Sequence, residues 1–466
     1  MPAPAWAPAL ERFAAETMAE HRIPGLSLAV AQDGETVYAS GFGHRDREAG
    51  LPATPETVYG IASCTKSFTA AAIMQLQEAG RLSVHDPVIR HLPEFRTPDP
   101  AATGRITLHH LLTHTAGFPP LPSRALALAR ALARDPDAKP ADRGGHAPID
   151  TFEQLMAYMA AIPFELLGPP GALFSYCNDG FALLGAVIER ASGQPYIPYV
   201  QDHILRPAGM EDTTFSVAAV AENPVATVLY APRGKGEAVR SPVWEDGAVW
   251  DPPGGLKSTV HDLLRYLEIY RTGGTTGGVR ILAPESVAAM TTQHVAMARA
   301  GHPPFPPGAG YGYGLSVRHR PDGVTLIGHG GGRKGVSAHV LAAPAQGLTG
   351  AVLANIAGVP SAQVLEAAID GQLGLPVPGE PLAAPAHACP PDRLAAYAGE
   401  YRSGEDARVT VSAEDGALLI ATQGERLRAR PVAEDTFVMR DGRNQAFVRF
   451  LPHAMTLGNR IVPKVK

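Results

Sequence analysis

Strand-type sequence stands at both ends of roughly the first 375 residues, with helical sequence between, and this pattern constrains the fold more than any other feature. Leu26–Ala31 and Glu35–Gly41 read as strands joined at Asp33-Gly34, a dipeptide suited to a tight hairpin turn. Strand character returns at Val324–Gly328, Gly335–Leu341 and Leu348–Asn355, separated by glycine or by Pro-Ala-Gln-Gly. Helical periodicity precedes the first strand at Leu10–Ala19 and follows the last at Ser361–Leu373. Further helical stretches fall at Ser63–Glu78, stopped by Gly80, and at Ile106–Thr113, Phe152–Ala161 and Asn178–Ala191. The pattern predicts an α+β domain over residues 1–375, an antiparallel sheet flanked by terminal helices with an all-helical region inserted.

Residues 376–392 form a Pro-rich linker by composition. Beyond it, over 393–466, short runs such as Arg408-Val-Thr-Val, Ala417-Leu-Leu-Ile, Thr436-Phe-Val-Met and Ala446-Phe-Val-Arg-Phe alternate with turn signals, which predicts a small antiparallel β module. Lys and Arg number 40 against 45 Asp and Glu, without a basic run, so a nucleic-acid partner is unsupported. No stretch has the apolar length of a membrane span, and the first ten residues lack the pattern of a signal peptide. Three cysteines make no disulfide framework, so the expected location is cytoplasmic.

The chemistry-bearing motifs lie on the predicted helix starts and a late strand. In Ser63-Cys-Thr-Lys66, two residues one helical turn apart share a face, so the lysine can take the proton of the serine hydroxyl if burial lowers its basicity. The N–H of Ser63 can also face a developing oxyanion. A chain of this length holds roughly one Ser-x-x-Lys by chance, so the motif needs partners. Tyr176-Cys-Asn178, on a turn entering a helix, offers a phenol that can relay a proton and an amide that can donate and accept. The bland alternative is a half-buried aromatic beside a helix cap. His329-Gly330-Gly331-Gly332 ends a strand run with small residues that admit close backbone approach, or else makes a tight hairpin. Gly330-x-Gly332-x-x-Gly335 is not a dinucleotide fingerprint, because strand-type sequence follows it, and no Walker loop occurs; no cofactor is expected.

In this order the three motifs resemble the serine β-lactamase and penicillin-binding families, and most closely the class C β-lactamase and D-alanyl-D-alanine carboxypeptidase branch with its related esterases and peptidases. Ile61-Ala-Ser-Cys-Thr-Lys, Thr107-Leu-His-His-Leu-Leu-Thr-His-Thr-Ala-Gly-Phe, Gly254-Gly-Leu-Lys-Ser-Thr and Gly328-His-Gly-Gly-Gly carry the likeness, over about residues 10–370. The resemblance implies a β-lactamase/transpeptidase-like sheet with Ser63 acylated, Lys66 as base and Tyr176 as acid to the leaving group. It further implies that Asn178 orients the acyl side, the Ser63 and Gly332 N–H groups hold the oxyanion, and Gly330 and Gly331 line the substrate strand. The terminal module is similar to the small lipocalin-like barrel of some D-amino-acid-directed peptidases. His329 stands where the family motif has lysine, a departure that predicts weak or absent β-lactamase activity. It also predicts a carboxylate preference that fades as pH rises through the histidine range.

His110 and His114 are spaced for zinc on a helix but lack a third ligand, so a capping or buried role is expected and no metal. Cys64 and Cys177 are read as small packing residues. Pro119–Pro148 and the loop carrying Trp244 and Trp250 are candidates for shaping specificity. The expected partner is a small-molecule or short-peptide substrate, an amide or ester, and a homo-oligomer is compatible with the chain. The competing reading is a non-catalytic scaffold or ligand sensor that keeps the fold.

Overall fold

The computed structural model describes residues 3–135, 147–232, 238–241, 243–297, 308–378, 386–405, 408–422, 425–441, 444–457 and 459–465. Helix α1 (Ala7–His21) leads into the hairpin β1 (Gly25–Gln32) and β2 (Glu35–Asp46), whose turn residues Asp33 and Gly34 both have positive φ. After β3 (Leu51–Pro52) the chain leaves the sheet for helices that include α2 (Thr65–Glu78) and α3 (Asn178–Ser192). It returns through β4 (Val295–Ala296), β5 (Ala309–Tyr311), β6 (Ser316–His319), β7 (Thr325–Arg333), β8 (Val336–Ala343) and β9 (Leu348–Ala354), and α4 (Ser361–Gln372) follows. The resulting nine-stranded sheet runs β4-β5-β6-β7-β8-β9-β1-β2-β3, every neighbouring pair antiparallel. The first and last strands of this sheet in chain order thus pair, β1 with β9, where Leu28 faces Val352.

Side chains of β1 alternate between two cores, as the two-residue period of a strand requires. Leu28 and Val30 point to the cluster under α1 and α4, with Leu10, Phe13, Leu365 and Ile369. Ala29 and Ala31 point to the larger cluster under the helical region, with Phe68, Ile73 and Phe181. Burial on both faces explains why β1 reads as a near-continuous apolar run.

Two alternatives left open by the sequence are decided. The glycines after His329 form no hairpin: β7 runs on through them to Arg333, and the turn comes at Lys334-Gly335, where Gly335 has φ 71°. His110 and His114 do not share a helix, because that helix ends at Leu112 and His114 has φ 57°. His110 caps that helix, as expected, its Nδ1 accepting from the Thr107 N–H at 3.1 Å, and His114 is buried. Among the described residues no group of three or more metal-ligating side chains assembles, and no helix is long and apolar enough to cross a membrane.

The C-terminal region is an eight-stranded antiparallel meander: β10 (Gly399–Arg402), β11 (Arg408–Glu414), β12 (Ala417–Thr422), β13 (Glu425–Ala433), β14 (Thr436–Asp441), β15 (Asn444–Leu451), β16 (Ala454–Leu457) and β17 (Arg460–Pro463). The Val465 N–H donates to the Glu400 carbonyl at 2.7 Å, and Tyr401 bridges Lys464, closing the sheet on itself. Leu418, Ile420, Phe437, Val448 and Phe450 fill the interior. Residues 136–146 of the Pro119–Pro148 stretch and 379–385 of the linker lie outside the described residues.

Candidate active site

Ser63 sits in a short 3-10 turn, Ala62–Cys64, immediately before α2. Ala62 has φ 44°, a left-handed conformation costly for a residue with a side chain, so the surrounding packing holds this turn in place. Part of that packing is β7. A Cβ at Gly331 would lie 2.1 Å from the Ile61 carbonyl oxygen, so only glycine lets the strand pass this close to the Ser63 turn.

Lys66 is completely buried, and its Nζ lies 3.2 Å from Ser63 Oγ, 2.8 Å from Asn178 Oδ1 and 2.7 Å from the Pro253 carbonyl oxygen. Burial is the main force holding its proton affinity well below the usual lysine value, with a smaller push from the Arg460 charge. As a neutral amine Lys66 has two N–H bonds and one lone pair. Asn178 and Pro253 can accept the two N–H bonds, which turns the lone pair toward the Ser63 hydroxyl. Asn178 is therefore no helix cap; it opens α3 and its side chain serves Lys66.

Tyr176 lies across the site, its ring centroid 4.9 Å from Lys66 Nζ. Its buried hydroxyl makes no hydrogen bond within normal geometry, although Ser63 is near enough to favour its ionised form. Burial nonetheless dominates and pushes the phenol up. The ring packs 4.2 Å from that of His114, whose Nδ1 accepts the Cys177 N–H at 3.1 Å. His114 thus positions the Tyr-x-Asn segment and is no metal ligand.

His329 overturns the expectation of a titratable cation. It is buried, its Nε2 stands 2.9 Å from the Tyr311 hydroxyl, and its Nδ1 stands 2.5 Å from the Gly330 carbonyl oxygen. A carbonyl only accepts, so Nδ1 carries the proton and Nε2 accepts from Tyr311. Burial lowers its pKa to about 3, so the ring stays neutral through the physiological range. The predicted pH-dependent carboxylate preference therefore has no basis in His329.

Ser63, Tyr176, Asn178, His329, Gly330 and Gly332 line one cleft, while Gly331 faces away from it toward Ile61. Cys64 donates to the His329 carbonyl at 3.1 Å and Cys177 contacts Asp179 at 3.4 Å; burial raises both thiols, which fits packing rather than reactivity. Trp250 and Arg124 line the cleft too, so the two loops singled out from the sequence do reach it. The sequence reading missed the C-terminal residues that line the same cleft, among them Glu405, Asn459 and Arg460. Leu457-Gly-Asn-Arg460 carried a two-residue hairpin signal, but nothing local said where that turn would dock.

The beta-lactamase family profile matches residues 10–374. The chain belongs to the beta-lactamase family. Within it, the chain is 31% identical to the esterase EstB of Burkholderia gladioli over 68% of its own length and 81% of that protein. Among solved structures, the octameric penicillin-binding protein homologue from Pyrococcus abyssi superposes with a TM-score of 0.72 at 29% identity, covering 98% of this chain and 100% of that one. A D-stereospecific amidohydrolase from Streptomyces follows with a TM-score of 0.62 and 26% identity, covering 77% of this chain and 97% of that one. This beta-lactamase-family chain thus has the β-lactamase/transpeptidase fold and the company of hydrolases, together with a closed C-terminal sheet.

Proposed function

We propose that the protein is a serine hydrolase that forms an acyl-enzyme on Ser63 and cleaves small amide or ester substrates, D-amino-acid peptides or carboxylic esters, with little or no β-lactamase activity. The observation that carries this reading is the buried Lys66 amine 3.2 Å from Ser63 Oγ, its other contacts being the acceptors Asn178 Oδ1 and the Pro253 carbonyl. In the first half-reaction Lys66 takes the Ser63 proton as Oγ attacks the carbonyl carbon. The oxyanion is held by the N–H groups of Ser63 and Gly332. The proton passes through Tyr176 to the leaving amine or alcohol, and the acyl group stays on Oγ. Water then attacks with Lys66 again as base, releasing the acid and restoring Ser63.

The uncharged His329 in place of a lysine supports weak β-lactamase activity, since it offers no fixed charge to a β-lactam carboxylate. Residues 1–375 would be the hydrolase domain, 376–392 a linker and 393–466 a lipocalin-like barrel. Likeness to an octameric homologue favours a homo-oligomer, which light scattering on the purified chain would test.

The deciding experiment compares wild type with Ser63→Ala on nitrophenyl esters, D- and L-aminoacyl amides and a chromogenic cephalosporin. Turnover by wild type alone supports the acyl-enzyme, and the preferred leaving group and chirality separate esterase from D-peptidase. Equal turnover by Ser63→Ala refutes it, and no turnover by either protein favours the non-catalytic scaffold.

A further inference from the structure

We propose that the hairpin of β16 and β17 completes the active site, with the Arg460–Glu405 ion pair setting the charge around Lys66 and Tyr176. The inference rests on the reading of Ser63 as nucleophile and Lys66 as its base.

The hairpin tip is fastened to the segment that carries Tyr176. The Tyr176 N–H donates to the Asn459 carbonyl at 3.0 Å, and the Ile461 N–H reaches Ser175 Oγ at 3.5 Å. Asn459 adopts φ 67°, the left-handed conformation a tight hairpin turn needs and asparagine tolerates. Between these two anchors Arg460 projects over Tyr176, its Cζ 5.2 Å from the ring centroid. Lys66 Nζ is 4.9 Å from the same centroid, so the amine and the Arg460 guanidinium stand no more than about 10 Å apart. Glu405, which follows β10, brings Oε2 to 2.7 Å from Arg460 Nε, off the N–H axis, so the contact is an ion pair rather than an aligned hydrogen bond.

Arg124 and Arg333 also line the cleft and Asp179 lies buried beside Asn178, but the charges that act most on Lys66 are those of Arg460 and Glu405 and of two thiols. Cys64 on its own turn and Cys177 at the start of α3 are thiols that burial keeps protonated. Burial likewise keeps Tyr176 a phenol and both His114 and His329 neutral imidazoles. Arg460 disfavours the ammonium form of Lys66 and favours the ionised form of Tyr176, whereas Glu405 acts oppositely on both. With His329 neutral, the cation that acts most strongly on Lys66 is supplied by the C-terminal sheet. Arg460 and Glu405 are positioning residues: they act on the base and the acid, and neither is assigned contact with the reacting atoms.

The test is the pH profile of kcat/KM for ester hydrolysis by the full chain as wild type, Arg460→Met, Glu405→Gln and Arg460→Lys. At about 10 Å and an effective dielectric constant of about 20, one unit charge moves the acid limb set by Lys66 by about one pH unit. Arg460→Met should move that limb to higher pH, Glu405→Gln to lower pH, and Arg460→Lys should leave it close to wild type. Opposite shifts from the two members of one ion pair are something structural damage does not produce. Limbs that stay put, or move the same way, overturn the proposal. Should Arg460→Met not fold, a Glu405→Gln limb that fails to move down overturns it alone. Ser63→Ala, assayed alongside, keeps the two levels apart: retained turnover sinks the acyl-enzyme reading and this inference with it, whereas unmoved limbs with Ser63-dependent turnover overturn this inference alone.

Discussion

Replacing Gly331 by alanine tests how the late strand and the Ser63 turn depend on each other. The added methyl would sit 2.1 Å from the Ile61 carbonyl oxygen, a backbone atom that cannot rotate away. Non-bonded carbon contacts are comfortable near ~3.5 Å, so β7 and the turn must separate by more than about 1 Å. Overpacking of this kind costs about 1–3 kcal/mol. A displacement of about 1 Å at an oxyanion donor or nucleophile lowers turnover by about 10²-fold. Gly332→Ala is the internal control, because a Cβ there meets nothing within 4 Å and its N–H is retained. The assay pairs thermal unfolding with steady-state hydrolysis of the best nitrophenyl ester. Gly331→Ala should lose both stability and kcat, while Gly332→Ala should keep the wild-type Tm. Wild-type Tm and kcat in Gly331→Ala, or an equal loss of Tm in Gly332→Ala, would refute the close-approach argument.

Other outcomes follow from the same geometry. Lys66→Met, uncharged and of similar length, should lower kcat by roughly 10²–10⁴-fold without moving the far-UV circular dichroism spectrum. In a labelled-histidine NMR titration, His329 should show no inflection between about pH 5 and 8, given a pKa of about 3 against a reference near 6.5. His109 and His339, lowered by burial to about 4, join His329 in a stability effect. The unfolded chain protonates these rings first, so their contribution is fully present above about pH 6.5 and is lost as pH falls toward 4. A Tm that rises over that acid interval would contradict it. Of the three cysteines, only Cys389 is partly exposed, so a thiol reagent should titrate one group in the native protein and all three after denaturation.

What the sequence could reveal follows from how local each determinant is. Ser63 and Lys66 are one helical turn apart, so their meeting follows from helix geometry. The hairpin at Asp33-Gly34 and the helix beginning at Asn178 are equally local, and each falls where the pattern puts it. The strand run Val324–Gly328 is legible up to His329, and the structure carries it on to Arg333; the charge of His329 depends on burial and on Tyr311, neither of which its neighbours in sequence specify. The glycines after it were legible as small residues, but whether they turn or run straight was decided by the partner strand β8. His114 read as a capping or buried histidine, and its part in holding Tyr176 arises only when that ring packs on it. Arg460 was the least legible of all, since its significance lies in where a distant hairpin lands.

The join of β1 to β9 has a kinetic side. Leu28 pairs opposite Val352, so the interior of the main sheet links residues more than 300 positions apart. During synthesis the β1–β2 hairpin emerges early and must wait, its inner edge unpaired and its alternate faces apolar, until the chain beyond residue 350 is available. Such a long-range closure is slow, because loop entropy must be met before any pairing rewards it. An unpaired apolar edge is also a template for association with other chains. Refolding yield should therefore fall steeply with protein concentration, and pulse-labelling hydrogen exchange should find β1 amides protected late, after those of α2. Early protection of β1 would point to a transient partner strand other than β9.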